Sequence, residues 1–360
     1  MKLIWIFLIF LLASNCEAND SIGYLGAGGI EFKKTEDISM EKEVLTISRK
    51  LIRVEYEFLN TTSKQIKETI IFPMPFYGFD FGCSPEHSGR LEGFKVWVNG
   101  EIQATSRTVR ARLKEKDVTS RLKELGFADE DISEYRGIEG NCGMDVHPPT
   151  GIFARNMDGL NKVGLVKIFN QEGTVIVTPM WTAAYFYSWE QVFPPNAIVR
   201  VAHEYVPFTG SINGLYSFSD VSSFKEDKGG EGLVKDFCIT DGTIRAGKNI
   251  QEHITTGAFK IPIEGLRRET VNYILTTGAN WAGPIKDFTL NLKKESKNEI
   301  VSLCFDDGQF KKSDALTVSS HINNFLPKND ISAIFFYAPD PMAGYSDGGG
   351  YKPGYRRQRD

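Results

Sequence analysis

The sequence predicts an all-β protein, an antiparallel β-sandwich of immunoglobulin-like type with one short helical insertion. Short runs rich in β-branched and aromatic residues recur along the chain, and Gly, Asn, Asp or Pro separate them. Only one segment shows a clear helical spacing of apolar residues. The length suits two packed sandwiches, with one large elaborated sandwich as the alternative. The predicted strands are residues 44–48, 51–58, 68–72, 94–98, 102–109, 163–169, 174–178, 197–206, 271–276, 288–292 and 331–337.

Residues 1–18 have the features of a cleavable secretory signal peptide. A basic residue precedes the apolar run 3–13, and small or polar residues follow it. The run is about half the roughly 20 residues that a membrane-spanning helix needs, so we expect cleavage after Ala18 rather than a permanent anchor. We expect a periplasmic protein, with secretion or lipid anchoring at Cys16 as alternatives. Asn15 disfavours lipid attachment, because that processing needs a tiny residue just before the cysteine.

The overall composition excludes several classes of function. A formal net charge of −4 gives no basic surface of the kind that nucleic acids require. No apolar segment after the signal is long enough to cross a bilayer, so we expect no transmembrane segment in the mature chain. The His-Glu-x-x-His motif of metal-dependent hydrolases is absent from the sequence. The sequence therefore predicts no cofactor, no metal and no catalytic residue.

Four cysteines remain after the predicted cleavage, and an oxidising compartment would allow them to form two disulfides. Four cysteines allow three pairings. We expect Cys238 to pair with Cys304, and Cys83 to pair with Cys142 across the base of the helical insertion. Buried free thiols are the alternative, because the spacings match no fixed disulfide framework.

Two dipeptides predict hairpin turns. Asn99-Gly100 favours a type I′ turn, because both residues readily adopt positive φ angles between two alternating strands. Asp307-Gly308 predicts a second hairpin by the same reasoning.

The predicted helix covers residues 117–126. Asp117 stands at the N-cap position, apolar residues follow at helical spacing, and Gly126 terminates the segment. The charged stretch 110–139 surrounds this helix, and we interpret it as an insertion on a β scaffold.

The sequence predicts two domains and a tail after the signal. A polar, glycine-rich connector divides an N-terminal β-sandwich domain, residues 19–221, from a C-terminal β-rich domain, residues 222–338. Residues 339–360 contain three consecutive glycines and end in a basic cluster. Because such a composition cannot bury enough apolar surface to fold, we expect a disordered, Gly-rich, basic tail.

Several stretches together resemble the domain of unknown function 4424 family of exported bacterial proteins. They are the mature start Asn19-Asp20-Ser21 with Gly28-Gly29-Ile30, then Phe72-Pro73-Met74-Pro75, Trp181, Tyr187-Ser188-Trp189-Glu190-Gln191-Val192-Phe193-Pro194, Val201-Ala202-His203-Glu204-Tyr205-Val206-Pro207 and Tyr273-Ile274-Leu275-Thr276-Thr277-Gly278-Ala279-Asn280-Trp281-Ala282-Gly283-Pro284-Ile285. The resemblance implies export, a bacterial source and a cysteine near each of Cys238 and Cys304. It implies no known activity, and neither the basic tail nor the 110–139 insertion matches the family pattern.

Two groups of residues are candidate binding sites. In an extended strand, alternate side chains share one face, so a row of aromatic residues could stack on a sugar or a peptide. A tight loop after a strand could bind a polar ligand through hydroxyl, amide and indole groups. The row consists of Trp181, Tyr185, Tyr187 and Trp189. The loop residues are Thr276, Thr277, Asn280 and Trp281.

Structural roles are the alternative for both groups. Large aromatic residues form cores more often than ligand sites, and Asn280 could satisfy its own backbone in a turn while Trp281 fills a gap between strands. His203 lies on an apolar strand face, where we expect a core residue rather than a general base. We therefore expect a non-catalytic binding or scaffolding protein of the bacterial cell envelope, whose partner is an envelope protein or a glycan. The alternative is a hydrolase that acts on an envelope carbohydrate or peptide.

Overall fold

The computed structural model describes residues 20–26, 29–79, 91–138, 148–171, 173–211, 215–218, 233–253, 255–256, 261–262, 265–305 and 307–338. Several features predicted from the sequence lie outside these residues. They are the signal peptide 1–18 with Cys16, the cysteines Cys83 and Cys142, the boundary at residues 221 and 222, and the tail 339–360.

Strands make up most of the described secondary structure, and they form several antiparallel sheets, as the sequence predicts. The strands are β1 Ser21–Gly26, β2 Gly29–Lys33, β3 Ile38–Ile47, β4 Ile52–Asn60, β5 Ile66–Pro73, β6 Tyr77–Gly78, β7 Glu92–Val98, β8 Glu101–Gln103, β9 Ser106–Leu113, β10 Lys116–Asp117, β11 Val166–Gln171, β12 Thr174–Pro179, β13 Thr182–Phe193, β14 Ile198–Val206, β15 Thr209–Ser211, β16 Thr255–Thr256, β17 Ile261–Pro262, β18 Arg267–Tyr273, β19 Ile285–Lys293, β20 Glu299–Leu303, β21 Lys311–Lys312, β22 Thr317–Phe325 and β23 Ile331–Tyr337. The helices are α1 Thr119–Glu124, α2 Asp129–Ser133, α3 Gly151–Lys162, α4 Leu233–Asp236, α5 Asp241–His253 and the 3₁₀ helix Thr276–Asn280.

The first compact unit contains two large sheets. It comprises residues 1–210, 271–295 and 305–332. A seven-stranded sheet has the order β10-β9-β13-β5-β1-β2, with β6 paired to β13, and an eight-stranded sheet has the order β21-β22-β19-β3-β4-β14-β7-β8. The two sheets contact each other through aromatic rings, and the Phe72 and Phe94 centroids lie 5.4 Å apart. Burial of alternate residues along β4 explains this core, because one face of each strand is apolar.

One parallel strand pair sets the boundaries of the first unit. Strand β19 lies parallel to β3, with Leu290 opposite Leu45, and antiparallel to β22. The sequence-based division places β19 and β22 in the C-terminal domain 222–338, whereas the structure groups them with the N-terminal strands. The reason is that β3 needs a partner on its second edge, and a distant segment supplies it.

The described residues of the second unit lie within the ranges 211–270, 296–304 and 333–338. A four-stranded sheet has the order β15-β18-β23-β20, and Leu303 of β20 lies opposite Ala333 of β23. Buried apolar residues from α4, α5 and the strands form its core, namely Phe218, Leu233, Ile239, Ile244, Leu266, Ile300, Ile334 and Phe336. The predicted disulfide between Cys238 and Cys304 is present, with the sulfur atoms 2.05 Å apart.

The helices differ in number from the prediction. Helix α1 falls inside the predicted segment, the Asp117 carboxylate accepts the Thr119 backbone N–H at 2.8 Å, and Gly126 ends it with a φ of 86°. The expectation of one helical insertion was nevertheless wrong, because the described residues also form α2, α3, α4 and α5. Glycines dilute the apolar pattern of α3 and α5, and this weakens the sequence signal for a helix.

One of the two predicted hairpins is present. Asn99 and Gly100 have φ angles of 51° and 87°, and they join β7 to β8 with Val98 opposite Glu101. The Asp307-Gly308 prediction was wrong, because β20 pairs with β23 while β21 pairs with β22. The strands on either side of that dipeptide belong to different sheets.

Candidate functional site

A groove crosses the outer face of the eight-stranded sheet. We call it the cross-strand groove and define it by its lining residues, which are Lys42, Val44, Arg53, Glu55, Tyr56, Glu57, Trp97, Gly100, Arg200, Val201 and Ala202. Its volume is about 460 Å³. All of its lining residues come from β3, β4, β14 and the β7–β8 hairpin, so a rigid sheet positions the groove.

The strand register places the groove floor in a single row. Val44 of β3 lies opposite Glu55 of β4, Glu55 lies opposite Ala202 of β14, and Ala202 lies opposite Trp97 of β7. Val44 and Ala202 are small, whereas the neighbouring rows carry long charged side chains. The floor is therefore low at Val44 and Ala202, Glu55 stands between these two residues, and an indole ring stands at one end.

Ion pairs hold the walls of the groove in place. The Arg200 guanidinium donates to Glu57 at 3.0 Å, and Arg53 donates to Glu55 at 2.9 Å and to Glu204 at 3.1 Å. The hydrogen bond that Arg53 donates to Glu55 raises the pKa of Arg53 above its ordinary value, so this guanidinium stays charged. Such surface pairs contribute little to stability, but they restrict the positions of donors and acceptors.

Trp97 is the accessible tryptophan of the described residues. Its ring is partly exposed, and the Arg53 guanidinium carbon lies 5.5 Å from the ring centroid. Trp181, Trp189 and Trp281 are all buried, with at most 4% of each exposed. Trp97 is therefore the tryptophan that a ligand at the surface can contact.

A second polar cluster lies in the core between the two sheets. Asp20, Glu43 and His203 are completely buried, and the His203 Nδ1 atom lies 3.7 Å from an Asp20 carboxylate oxygen. The Tyr56 and Tyr273 hydroxyls share a hydrogen bond of 3.1 Å beside them. This cluster has no access to solvent and therefore none to a substrate.

Burial shifts the ionisation of this cluster towards neutral forms. It raises the pKa of Asp20 well above its ordinary value and lowers the pKa of His203 from 6.5 to about 3. His203 packs 4.6 Å from the Phe72 ring and 5.6 Å from the Tyr56 ring, measured between centroids. At neutral pH it is an uncharged core residue, as its position on an apolar strand face indicates.

The loop residues proposed from the sequence hold the N-terminal segment in this core. The Trp281 indole N–H donates to the Asp20 backbone carbonyl at 3.0 Å, and the Asn280 amide donates to the Ser21 hydroxyl at 3.0 Å. Thr276 donates to the Asp330 carboxylate at 2.9 Å. Thr277 is buried, as is Trp281. The loop therefore brings Thr276, Thr277, Asn280 and Trp281 together, but in structural contacts.

The predicted aromatic row on β13 is also buried. Trp181, Tyr185, Tyr187 and Trp189 are each at most 6% exposed. The Trp181 indole donates to the Ile132 carbonyl at 3.0 Å, and the other contacts of the row include hydrogen bonds of both tyrosine hydroxyls. This burial favours the core interpretation over direct stacking of a ligand, and the row does not meet the 276–281 loop in one site.

Sequence reasoning did not identify the cross-strand groove. The alternation of charged and apolar residues along β4 was a signal that one face of this strand is solvated and polar. Nothing in the sequence shows that Trp97 and Ala202 lie in the same row as Glu55, because that depends on the register of distant strands. Among the described residues, no group of histidine, cysteine, aspartate or glutamate side chains could hold a metal ion. No described helix has the length and apolar character needed to span a bilayer.

The fold and these sites define a mostly β protein with two compact units and an open polar groove. The chain belongs to the domain of unknown function family DUF4424, whose model matches residues 18–334. A solved structure from Legionella pneumophila subsp. pneumophila, described as a candidate nutrient binding protein, is similar at 15% identity and a TM-score of 0.38. The match covers 88% of this chain and 72% of the other. No curated protein sequence matches this chain significantly.

Proposed function

We propose that this protein is an exported, non-catalytic binding protein of the bacterial cell envelope that holds a polar ligand in the cross-strand groove. The observation that carries the proposal is the groove itself, which is open, positioned by a rigid sheet and lined by ion-paired side chains beside a partly exposed tryptophan. A preorganised surface loses little side-chain entropy when a ligand binds. The groove therefore suits recognition of a ligand without rearrangement of the sheet.

The geometry supports binding better than hydrolysis. A hydrolase needs an accessible nucleophile or general base near a carboxylate. In the described residues, His203 is enclosed by the core, and Glu55 and Glu57 in the groove are each hydrogen-bonded to an arginine. In the loop 276–281, a candidate binding site, the Trp281 side chain is buried and its indole donates to the Asp20 carbonyl.

Two further parts of the proposal concern location and architecture. The signal-like residues 1–18 support export to the periplasm. The aromatic contacts between the two large sheets of the first unit, such as Phe94 with Tyr187 at 4.4 Å, support a sandwich of the immunoglobulin-like kind.

Acrylamide quenching of tryptophan fluorescence tests the proposal directly. The protein without residues 1–18 contains four tryptophans, and Trp97 is the accessible one, so quenching reports mainly on the groove. The probes are glycan, peptide and lipid fractions of a bacterial envelope extract. We expect one fraction to reduce quenching, Trp97→Phe to abolish that reduction, and mass spectrometry to recover the bound compound unchanged.

Two results would overturn parts of this proposal. If no fraction protects Trp97, the groove is not a binding site. If the bound compound is recovered cleaved, the protein is an enzyme. Cell fractionation tests the location separately, and retention of the full-length chain in the cytoplasm contradicts export.

A further inference from the structure

We infer that the ligand of the cross-strand groove is a neutral oligosaccharide, an inference that rests on the proposed function. A pyranose ring has an apolar face of C–H groups and an edge of hydroxyls. Trp97 offers a partly exposed aromatic ring for the apolar face, and the Arg53 guanidinium carbon lies over this ring at 5.5 Å from its centroid. The charged walls offer hydrogen-bonding groups for the hydroxyls.

The shape of the groove suits a short linear chain. Trp97 on β7 and Val44 on β3 are separated by three inter-strand spacings, through β14 and β4. At about 4.8 Å for each spacing, the floor is about 14 Å long, roughly the length of a trisaccharide. The small side chains of Val44 and Ala202 leave room on either side of Glu55 in this row.

The charges of the groove are nearly balanced, and this disfavours a strongly charged ligand. Three basic side chains line the groove against two acidic ones, namely Lys42, Arg53 and Arg200 against Glu55 and Glu57. Glu204 lies beside the groove and pairs with Arg53 and Lys95. A polyanion needs an excess of positive charge, and a polycation needs the reverse. Ion pairing leaves donors on each guanidinium and acceptor positions on each carboxylate. Adjacent donors and acceptors match vicinal hydroxyls, because each hydroxyl can both donate and accept.

The position of the groove argues against a peptide bound by strand addition and against a lipid chain. In strand addition, an extended peptide pairs with an open sheet edge. The groove lies over β3, β4 and β14, and each of these strands has neighbours on both sides. Their backbone groups are therefore already paired within the sheet. An acyl chain would remove the charged walls from water without replacing their hydrogen bonds, which is unfavourable.

Titration calorimetry and acrylamide quenching with defined glycans test this inference. The probes are neutral cello-, chito- and malto-oligosaccharides of three to six sugars, with a sulfated polysaccharide as the charged comparison. We expect at least one neutral series to bind and to protect Trp97 from quenching. Trp97→Ala should weaken binding by about tenfold, because a stacking contact of this kind contributes about 1 kcal/mol or more.

Two further variants show whether the binding uses the groove floor. Ala202→Ile raises the floor while keeping a residue that suits a strand, so we expect it to weaken binding. Ile102→Ala is the matched control, because Ile102 faces Trp97 from β8, is 71% exposed and does not line the groove. It should bind as the unchanged protein does. Neutral-glycan binding that survives both Trp97→Ala and Ala202→Ile contradicts the inference.

The remaining outcomes separate this inference from the proposed function. If no neutral glycan binds but an envelope fraction still protects Trp97, the inference of an oligosaccharide ligand is wrong, whereas the proposed binding function stands. Binding of the sulfated polysaccharide alone also overturns the oligosaccharide inference. If neither the glycans nor the envelope fractions protect Trp97, both proposals fail.

Discussion

Replacement of Trp281 tests whether the 276–281 loop holds the N-terminal segment in the core. Trp281 is 4% exposed, its ring centroid lies 4.3 Å from that of Phe58, and its indole donates to the Asp20 carbonyl. Truncation of a buried tryptophan to alanine costs about 3–5 kcal/mol. We therefore expect Trp281→Ala to lower the free energy of unfolding by that amount. Trp281→Phe keeps an aromatic ring but removes the hydrogen bond, so we expect a loss of about 1–3 kcal/mol.

The measurement is equilibrium unfolding in urea, followed by far-ultraviolet circular dichroism so that the loss of a fluorophore does not matter. A shift of the midpoint at constant slope reports a change of stability. Trp97→Ala is the matched control, and we expect it to cost less than about 1 kcal/mol because its ring is only partly buried. If Trp281→Ala is as stable as Trp97→Ala, the loop does not clamp the core. If Trp281→Ala remains that stable but no longer binds a ligand that the unchanged protein binds, the loop is a binding site.

Three other substitutions test the core and the second unit. The neutral form of His203 contributes stability above pH 6.5 that is lost as the pH falls towards about 3, by up to about 1.4 kcal/mol per pH unit. His203→Phe should lower the slope of unfolding free energy against pH between pH 5.5 and 6.5, relative to the unchanged protein. Asp20, whose pKa is raised, contributes a slope of opposite sign to both proteins, so identical slopes contradict the burial of a neutral imidazole. Replacing Cys238 and Cys304 by serine should destabilise the second unit by about 4 kcal/mol, because a disulfide between residues 66 apart restricts the unfolded chain. An unchanged temperature of thermal unfolding argues against the cross-link. Gly247→Ala should destabilise by about 1–3 kcal/mol because the new methyl group overlaps a buried phenylalanine ring, whereas Gly159→Ala meets open space and should stabilise a helix by about 0.5–1 kcal/mol. If Gly247→Ala and Gly159→Ala change the free energy of unfolding equally, the close packing of Gly247 against the phenylalanine ring is contradicted.

Features that depend on neighbouring residues could be predicted from the sequence. The Asn99-Gly100 turn requires only a few adjacent residues, and the structure contains it. The predicted helix is also present, although its N-cap is Val118 and Asp117 accepts the Thr119 N–H from one residue earlier. The predicted pairing of Cys238 with Cys304 also matches. In each case the chemistry of the residue restricts the local backbone or offers few partners.

Features that depend on strand register could not be predicted. The groove exists because β14 places Ala202 between Glu55 and Trp97, and a shift of one residue would turn these side chains to the other face. The burial of Asp20 was equally hidden, since a carboxylate near a chain start has no sequence feature that marks it as a core residue. The aromatic row on β13 shows the converse, because its residue types alone do not distinguish a core strand from a binding surface.

The parallel pair of β3 and β19 has a consequence for the way the chain folds. Strand β19 lies between β3 and β22, so the eight-stranded sheet cannot be completed before residues up to Phe325 have left the ribosome. Until then β3 is an open edge, and open edges promote aggregation. Contacts between residues so distant in sequence also slow folding. The first unit therefore cannot be completed until residues far apart in the sequence, from β3 to β22, are all available.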